Sequence, residues 1–356
     1  VEGKRTVVHI IDGLARGGAE TLLAGVVSSL HDVRHVIISL KKGNDFEIEL
    51  KGIDIWFLDF KWFHSIPSAV FAIKKILRKY KVDIIHSHLF FSVIISRLVC
   101  SNKVVLINSY HAVLYGKEGA DYPIHARLLD RITYNERIIT LCVSNGVRMN
   151  LGKYIGIRNN IYVLYNFIAD SFFNNYRLQP NLNSHIKVVC VGNLKPDKNY
   201  QIIIKAISLL SSHVKNRISL DIFGQGGELT NLHNKCKELE INNIHFKGIE
   251  PNIANKLPKY DFYILSSRSE GFGLAVIEAM AIGLPALVSN LPVLREVTNE
   301  KAIYFNHENA EELASLIEEF SSGKFDLQSI SYQGHLHASN FTKRNYLKEL
   351  MRYYQI

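Results

Sequence analysis

Short apolar runs of strand length recur along this chain, each followed by a longer segment with apolar residues at helical spacing, and half-way along the series stops and restarts. Parallel sheets with crossover helices demand that alternation, because each parallel strand is reached by a connection long enough to hold a helix. In the first half, strands are expected near residues 7–11, 35–40, 55–57, 84–87, 104–109 and 140–143. The series restarts at Lys187 with VVCVGNL and runs on through SLDIFG, IHFKG, FYILSS and PALVSN. Between the halves, FIADSFFNNYRLQPNLNSH loses periodicity and collects Asn, Pro and Ser, which puts the boundary within residues 167–185. A chain of 356 residues exceeds what one core usually serves. Two doubly wound, Rossmann-like α/β domains are expected, residues 1–168 and 169–340. Ligand sites in such sheets form beyond the carboxyl ends of the strands, so function is sought in the loops of a cleft between the two.

Several classes are disfavoured. With 47% hydrophobic and 21% charged residues and no low-complexity stretch, the chain reads as globular throughout. Its longest apolar stretch, 89–100, is broken by Arg97 and falls short of the ~20 residues a membrane-spanning helix needs. The start runs straight into VVHII without the features of a secretory signal, and a cytoplasmic location is expected. Cys100, Cys142, Cys190 and Cys236 form no CxxC pair and no zinc-like cluster, and are read as buried thiols. The net charge of +9 is uneven. Residues 1–170 hold 22 Lys+Arg against 15 Asp+Glu, net +7, and the remainder 20 against 18, net +2. An anionic partner for the first half, or merely a solvated basic surface, fits that balance.

The second half carries the strongest chemical signal. After FYILSS comes RSEGFGLAVIEAMAIGLPALVSN, in which Glu270, Gly271, Phe272 and Gly273 stand at the mouth of a helix expected from about 274 to 282. A glycine-flanked turn opening a helix presents unpaired N–H groups and the positive end of the helix dipole, a setting that suits a diphosphate. Glu278, about one turn inside, is placed to take both hydroxyls of a ribose.

EGFGLAVIEAMAIGLP closely resembles the donor-binding signature of retaining glycosyltransferase family 4, whose members share the two-domain GT-B fold. The resemblance implies that Glu270 contacts the donor sugar, Glu278 the ribose, and the amides of Phe272, Gly273 and Leu274 the phosphates. VGNLKPDKN matches the family's glycine and lysine pattern and implies Lys198 on the donor pyrophosphate, where a cation stabilises the departing nucleoside diphosphate. The sequence departs at Asn193, where the family most often has arginine, leaving that charge to Lys198 together with the helix N-terminus, or to Lys195. FGQGGELTNL resembles the family's GxG turn, with Gly224 and Gly226 letting the backbone pass close to the nucleotide. IHFKGIEPN implies that Ile249 and Glu250 line the base pocket by main-chain contacts. FTKRNYLKELMRYYQI resembles the terminal helix that crosses back to brace the first domain, which adds 341–356 to that domain.

In the first half, Gly17 and Gly18 form a loop without GxGxxG spacing, which argues against a nicotinamide site; the resemblance implies a place against the donor phosphates and the acceptor. DIIHSHLFFS supplies His86 and His88. They are expected to point to opposite sides of the strand end, a poor chelate pair of which at most His88 faces the cleft. NSYHAVLYG supplies His111, which matches the family's cleft histidine near the donor sugar. Asp-x-Asp is absent from the sequence, so no metal is expected and no cofactor beyond the nucleotide sugar. Residues 60–82 combine aromatics with Lys74, Lys75, Arg78, Lys79 and Lys81, a basic helix expected either to rest on anionic lipid or to be solvated.

The resulting expectation is a retaining, metal-independent transferase that moves a hexosyl or N-acetylhexosaminyl group from a nucleoside diphosphate sugar, UDP first among the carriers. The acceptor is a glycan or lipid-linked hydroxyl in bacterial lipopolysaccharide, O-antigen or capsule assembly, at the inner face of the membrane. His111, Glu270 and Lys198 are the catalytic candidates. The rivals are a UDP-N-acetylhexosamine 2-epimerase of the same fold and a noncatalytic membrane-binding module. A nucleic-acid partner is disfavoured, since the first half lacks an aromatic stacking platform.

Overall fold

The computed structural model of the chain describes residues 3–116, 122–178 and 184–355. It divides into two compact units, residues 1–167 with 343–356, and residues 168–342. The changeover thus falls one or two residues from the expected 168 and 341.

The first unit holds a seven-stranded sheet: β1 (Thr6–Ile11), β2 (Arg34–Ser39), β3 (Asp54–Phe57), β4 (Ile84–His88), β5 (Val105–Tyr110), β6 (Ile139–Cys142) and β7 (Ile161–Val163). Their order is β3-β2-β1-β4-β5-β6-β7, every pair parallel. The second unit holds β8 (Ile186–Val191), β9 (Ile218–Phe223), β10 (Ile244–Gly248), β11 (Phe262–Leu265), β12 (Ala286–Ser289) and β13 (Ile303–Phe305) in the order β10-β9-β8-β11-β12-β13, again all parallel. Edge strands β7 and β13, three residues each, were not expected, because three residues are too few to display a period. The central strands are buried on both faces, as crossover helices require: β1 and β4 are buried at every position.

The boundary stretch contains a short helix, Asp170–Asn174, and its residues 179–183 lie outside those described. The terminal helix Lys343–Tyr354 packs into the first unit, where Tyr346, Leu350 and Tyr354 join Val7, Leu22, Val26 and Phe167 in one apolar cluster. Tyr354 ends it with two anchors: its carbonyl accepts from Arg5 Nη1 at 2.8 Å, and its hydroxyl lies 2.7 Å from His86 Nδ1.

Candidate functional site

In the second unit the strand order reverses between β8 and β11, and the loops leaving these two strands carry the residues singled out by the sequence. After β8 the chain makes a 3-10 turn, Pro196–Lys198, and turns back through Asn199 in the left-handed region (φ 52°). After β11 the segment Ser266 to Glu270 runs alongside. Ser266 Oγ donates to the Lys198 carbonyl at 2.8 Å, and the Arg268 N–H donates to the Asp197 carbonyl at 2.8 Å. Across this clasp Lys198 Nζ meets Glu270 Oε1 at 2.6 Å, and Ser267 Oγ donates to the same oxygen at 2.7 Å. Burial alone would lower the Lys198 pKa, but the charge and hydrogen bond of Glu270, with Asp197 adding, raise it above the usual lysine value. An ammonium has three donors, and two remain after Glu270 has taken one.

Gly273 (φ 87°) opens the helix Leu274–Ile282 and Gly283 (φ 94°) closes it. Both conformations favour glycine. A Cβ on Gly273 would also lie 2.7 Å from Leu294 Cδ2, and one on Gly283 2.4 Å from the Arg177 carbonyl. The Val276 and Ile277 amides bond back to the Gly273 carbonyl, which leaves those of Leu274 and Ala275 as first-turn donors without an intrahelical acceptor. No acidic residue lies in this first turn. Phe272, buried, sets its ring edge-on to Phe341 and holds the turn in place. Burial pushes the Glu278 carboxyl, on the same helix, from its ordinary 4.5 up to about 7.

The remaining expected residues lie on the loops after β8, β9 and β10. A Cβ on Gly224 would come within 2.0 Å of the Gly192 carbonyl, and one on Gly226 within 2.3 Å of the Leu194 carbonyl. These glycines therefore let the loop after β9 close against the loop after β8. Asn193 is exposed. Ile249 is exposed, while Glu250 accepts from the Asn252 amide at 3.0 Å and faces Lys256 at 3.6 Å. Glu250 also borders a cavity of about 450 Å3, with Asp221, Phe223, Lys247 and Tyr260, that includes none of Lys198, Glu270 or Glu278.

The corresponding reversal in the first unit, between β1 and β4, carries two carboxyl groups, of Asp12 and Glu20. Asp12, just past β1, accepts from Ser92 N at 2.7 Å, Ser92 Oγ at 2.6 Å and Phe91 N at 3.3 Å, capping the helix Phe90–Val99. Gly17, in extended backbone, caps the helix Gly18–Val27, and a Cβ there would lie 2.5 Å from Glu20 Oε2, so that carboxylate folds over the helix start. A side-chain carboxylate thus lies against the N-terminus that Gly17 and Gly18 open.

The expectation for His86 and His88 is corrected. A strand's side chains repeat every two residues, so i and i+2 share a face, and the two rings are 4.2 Å apart between centroids. Together with His9 they form a buried group in which one ring nitrogen from each histidine lies within 4.8 Å of the others. His111 follows β5 with Nε2 3.3 Å from His88 Nδ1, and burial lowers its pKa to about 4. Sequence reasoning passed over His9, His35, Ser266, Ser267 and Arg268. The only available signal for the last three was their position directly after a strand.

The helix expected within residues 60–82 spans Ile66–Leu77 and buries Ala69, Ile73 and Ile76, with Lys74 and Lys75 exposed. It packs on Phe90–Val99, which packs on a third helix, Ile124–Thr133. The third helix turns Ala126 and Asp130 inward and leaves Ile124, Leu128 and Ile132 exposed at 79%, 58% and 68%. No described helix is long and apolar enough to cross a membrane.

Two family descriptions match this chain, Glycosyltransferase Family 4 over residues 16–172 and Glycosyl transferases group 1 over residues 174–336. The chain belongs to glycosyltransferase family 4. Its two all-parallel sheets are those of the GT-B fold. This family 4 chain is 27% identical over 145 residues to the Escherichia coli O-antigen biosynthesis glycosyltransferase WclY, a match that spans 40% of each protein. It is 28% identical over 306 residues to the Staphylococcus aureus capsular polysaccharide biosynthesis glycosyltransferase CapH, covering 82% of this chain and 83% of that one. Anabaena HepE in complex with UDP and glucose superposes with a TM-score of 0.82 at 18% identity, covering 98% of this chain and 99% of that one.

Proposed function

We propose that this family 4 chain transfers a hexosyl group from a nucleoside diphosphate sugar, UDP-linked, to a hydroxyl of a glycan or lipid-linked acceptor, with retention at the anomeric carbon. The observation that carries the reading is the Lys198–Glu270 pair, clasped between the loops of the strand reversal in the second unit. On this reading the Leu274 and Ala275 amides, the helix dipole and Lys198 receive the diphosphate, Glu278 takes the ribose hydroxyls, and Glu270 orients the sugar. As the glycosidic bond breaks, negative charge grows on the leaving phosphate next to Lys198, and that phosphate takes the acceptor's proton. The chemistry proceeds without a metal. WclY and CapH, named for O-antigen and capsular polysaccharide biosynthesis, support an envelope polysaccharide as the product, and HepE supports UDP as the carrier.

Calorimetry with UDP-sugars and GDP-sugars tests the donor site, followed by turnover of the one that binds. Lys198→Ala is expected to lower kcat by about 10²–10³-fold, ~2.7–4 kcal/mol, as loss of an oxyanion-stabilising donor does. An unchanged kcat would remove Lys198 from the transition state. Conversion of UDP-N-acetylglucosamine with no acceptor present would replace transfer with epimerisation.

The unit 1 surface formed by the three packed helices is proposed to rest on anionic lipid, bringing a lipid-linked acceptor to the enzyme. The exposed Ile124, Leu128 and Ile132 beside Arg131 support this, together with Phe71, Lys74 and Lys75 on the first of the three helices.

A further inference from the structure

Four histidines stand in a row across the first unit's sheet. His35 near the start of β2, His9 within β1, His88 at the end of β4 and His111 just past β5 belong to four neighbouring strands, so the row climbs toward the carboxyl edge of the sheet, where ligands of such folds bind. His35 Nε2 lies 2.8 Å from the Leu30 carbonyl oxygen, and His35 Nδ1 lies 3.0 Å from His9 Nε2. His9 Nδ1 is 3.4 Å from His88 Nε2, and His88 Nδ1 is 3.3 Å from His111 Nε2. His9, His35 and His88 are buried. At the far end His111 Nδ1 is buried with no hydrogen-bond partner among the described residues.

The row has one direction. A carbonyl oxygen only accepts, so His35 carries its proton on Nε2, and a neutral imidazole with its N–H there has an accepting Nδ1. That nitrogen takes the His9 Nε2–H. His9 Nδ1 is then left as an acceptor for the His88 Nε2–H, and His88 Nδ1 for the His111 Nε2–H. Neutrality follows from burial, which lowers the pKa of all four rings; repulsion from His35 and His88 adds to this at His9, and from His111 at His88. We propose that the Leu30 carbonyl, acting through His35, His9 and His88 as positioning residues, holds His111 in its Nε2–H form, so that His111 Nδ1 presents a lone pair to a hydroxyl of a bound sugar. A hydroxyl has the proton this nitrogen needs, whereas a phosphate or carboxylate oxygen brings a second lone pair. His111 thereby selects for a hydroxyl and against an anion at its position. The nature of the ligand rests on the proposed glycosyl transfer; the tautomer does not.

A metal held by His9, His86 and His88 is the competing use of the same rings. Each of their nitrogens already has a partner: in His86, Nδ1 meets the Tyr354 hydroxyl and Nε2 the Ser109 hydroxyl, both at 2.7 Å. A cation would have to displace two or more of these contacts.

The test is the tautomer of each ring, read by two-bond proton–nitrogen correlation on full-length protein carrying 15N-histidine, with signals assigned by single His→Gln variants. At neutral pH His111 is expected as a single Nε2–H form with an unprotonated Nδ1. His35→Leu, which cuts the link to Leu30, is expected to spread His111 over both forms, and His35→Gln, which keeps one donor and one acceptor, to restore the single form. His111 protonated on Nδ1, a charged His111, or a His111 signal unmoved by His35→Leu overturns the proposal. So does uptake of one equivalent of zinc with loss of the row's signals. If His35→Leu does not fold, the wild-type spectrum still decides. With a turned-over sugar nucleotide in hand, His35→Leu is expected to lower kcat and leave UDP affinity unchanged, with kcat recovered in His35→Gln. Failure to find any such substrate would sink the glycosyl-transfer reading and leave the tautomer readable.

Discussion

A carboxyl removed from water holds its proton to higher pH, and Glu278, raised to about 7 by burial, is proposed to be half neutral near neutrality. Between about 4.5 and 7 the folded protein keeps a proton on Glu278 that the unfolded chain has released. This residue's contribution to stability therefore falls as pH rises through that window and levels off above it. Ribose hydroxyls donate best to the ionised form, so binding gains from the same deprotonation. We predict that the affinity for a UDP-sugar, whose diphosphate does not titrate here, rises from about pH 6 to 8 and that Glu278→Gln flattens the rise. A slope that survives in Glu278→Gln would assign the titration to another group. Lys198 and Glu270 show the same dependence on surroundings: separated by 72 positions, they become one charged pair only because two loops are clasped together.

At the scale of elements, the stretch 89–100 read as an apolar run interrupted by Arg97, and the interruption turns out to hold the helices together. Arg97, on Phe90–Val99, reaches Asp130 on Ile124–Thr133 at 2.6 Å, with both side chains essentially unexposed. It also donates to Asn108 at 2.9 Å and to the Tyr110 hydroxyl at 2.9 Å, while the Tyr110 and Tyr115 hydroxyls donate to Asp130 at 2.8 and 2.7 Å. Removing one partner strands the other charge in the interior. Asp130→Ala is predicted to cost about 3–5 kcal/mol in denaturant unfolding, and Arg97→Leu with Asp130→Leu less than either single change. A double change costing the sum of the singles would mean the pair is not coupled. Nothing in the sequence joins residue 97 to residue 130; their meeting depends on which helices become neighbours on the sheet.

For the molecule as a whole, the positive charge concentrated in the first half meets an exposed apolar stripe on one helix of the first unit. Vesicles containing anionic lipid are predicted to bind the protein, less so as salt rises. Replacing Ile124, Leu128 and Ile132 together by Ser should weaken binding about tenfold or more without loss of stability, because all three are already exposed. Equal binding to neutral and anionic vesicles would remove the lipid reading. The sequence placed the basic helix at 60–82 but did not single out 124–133, since an apolar stripe at helical spacing reads as a buried face until its neighbours are known. By itself the sequence determined the two parallel α/β units, the helix 274–282 between its glycines, and the family, because periodicity, left-handed glycines and motif spacing are local properties of the chain. Tertiary structure alone decided that Gly224 and Gly226 serve backbone contact, that His86 and His88 share a face, and that four histidines from four strands form one row, because each of these depends on which strands lie side by side.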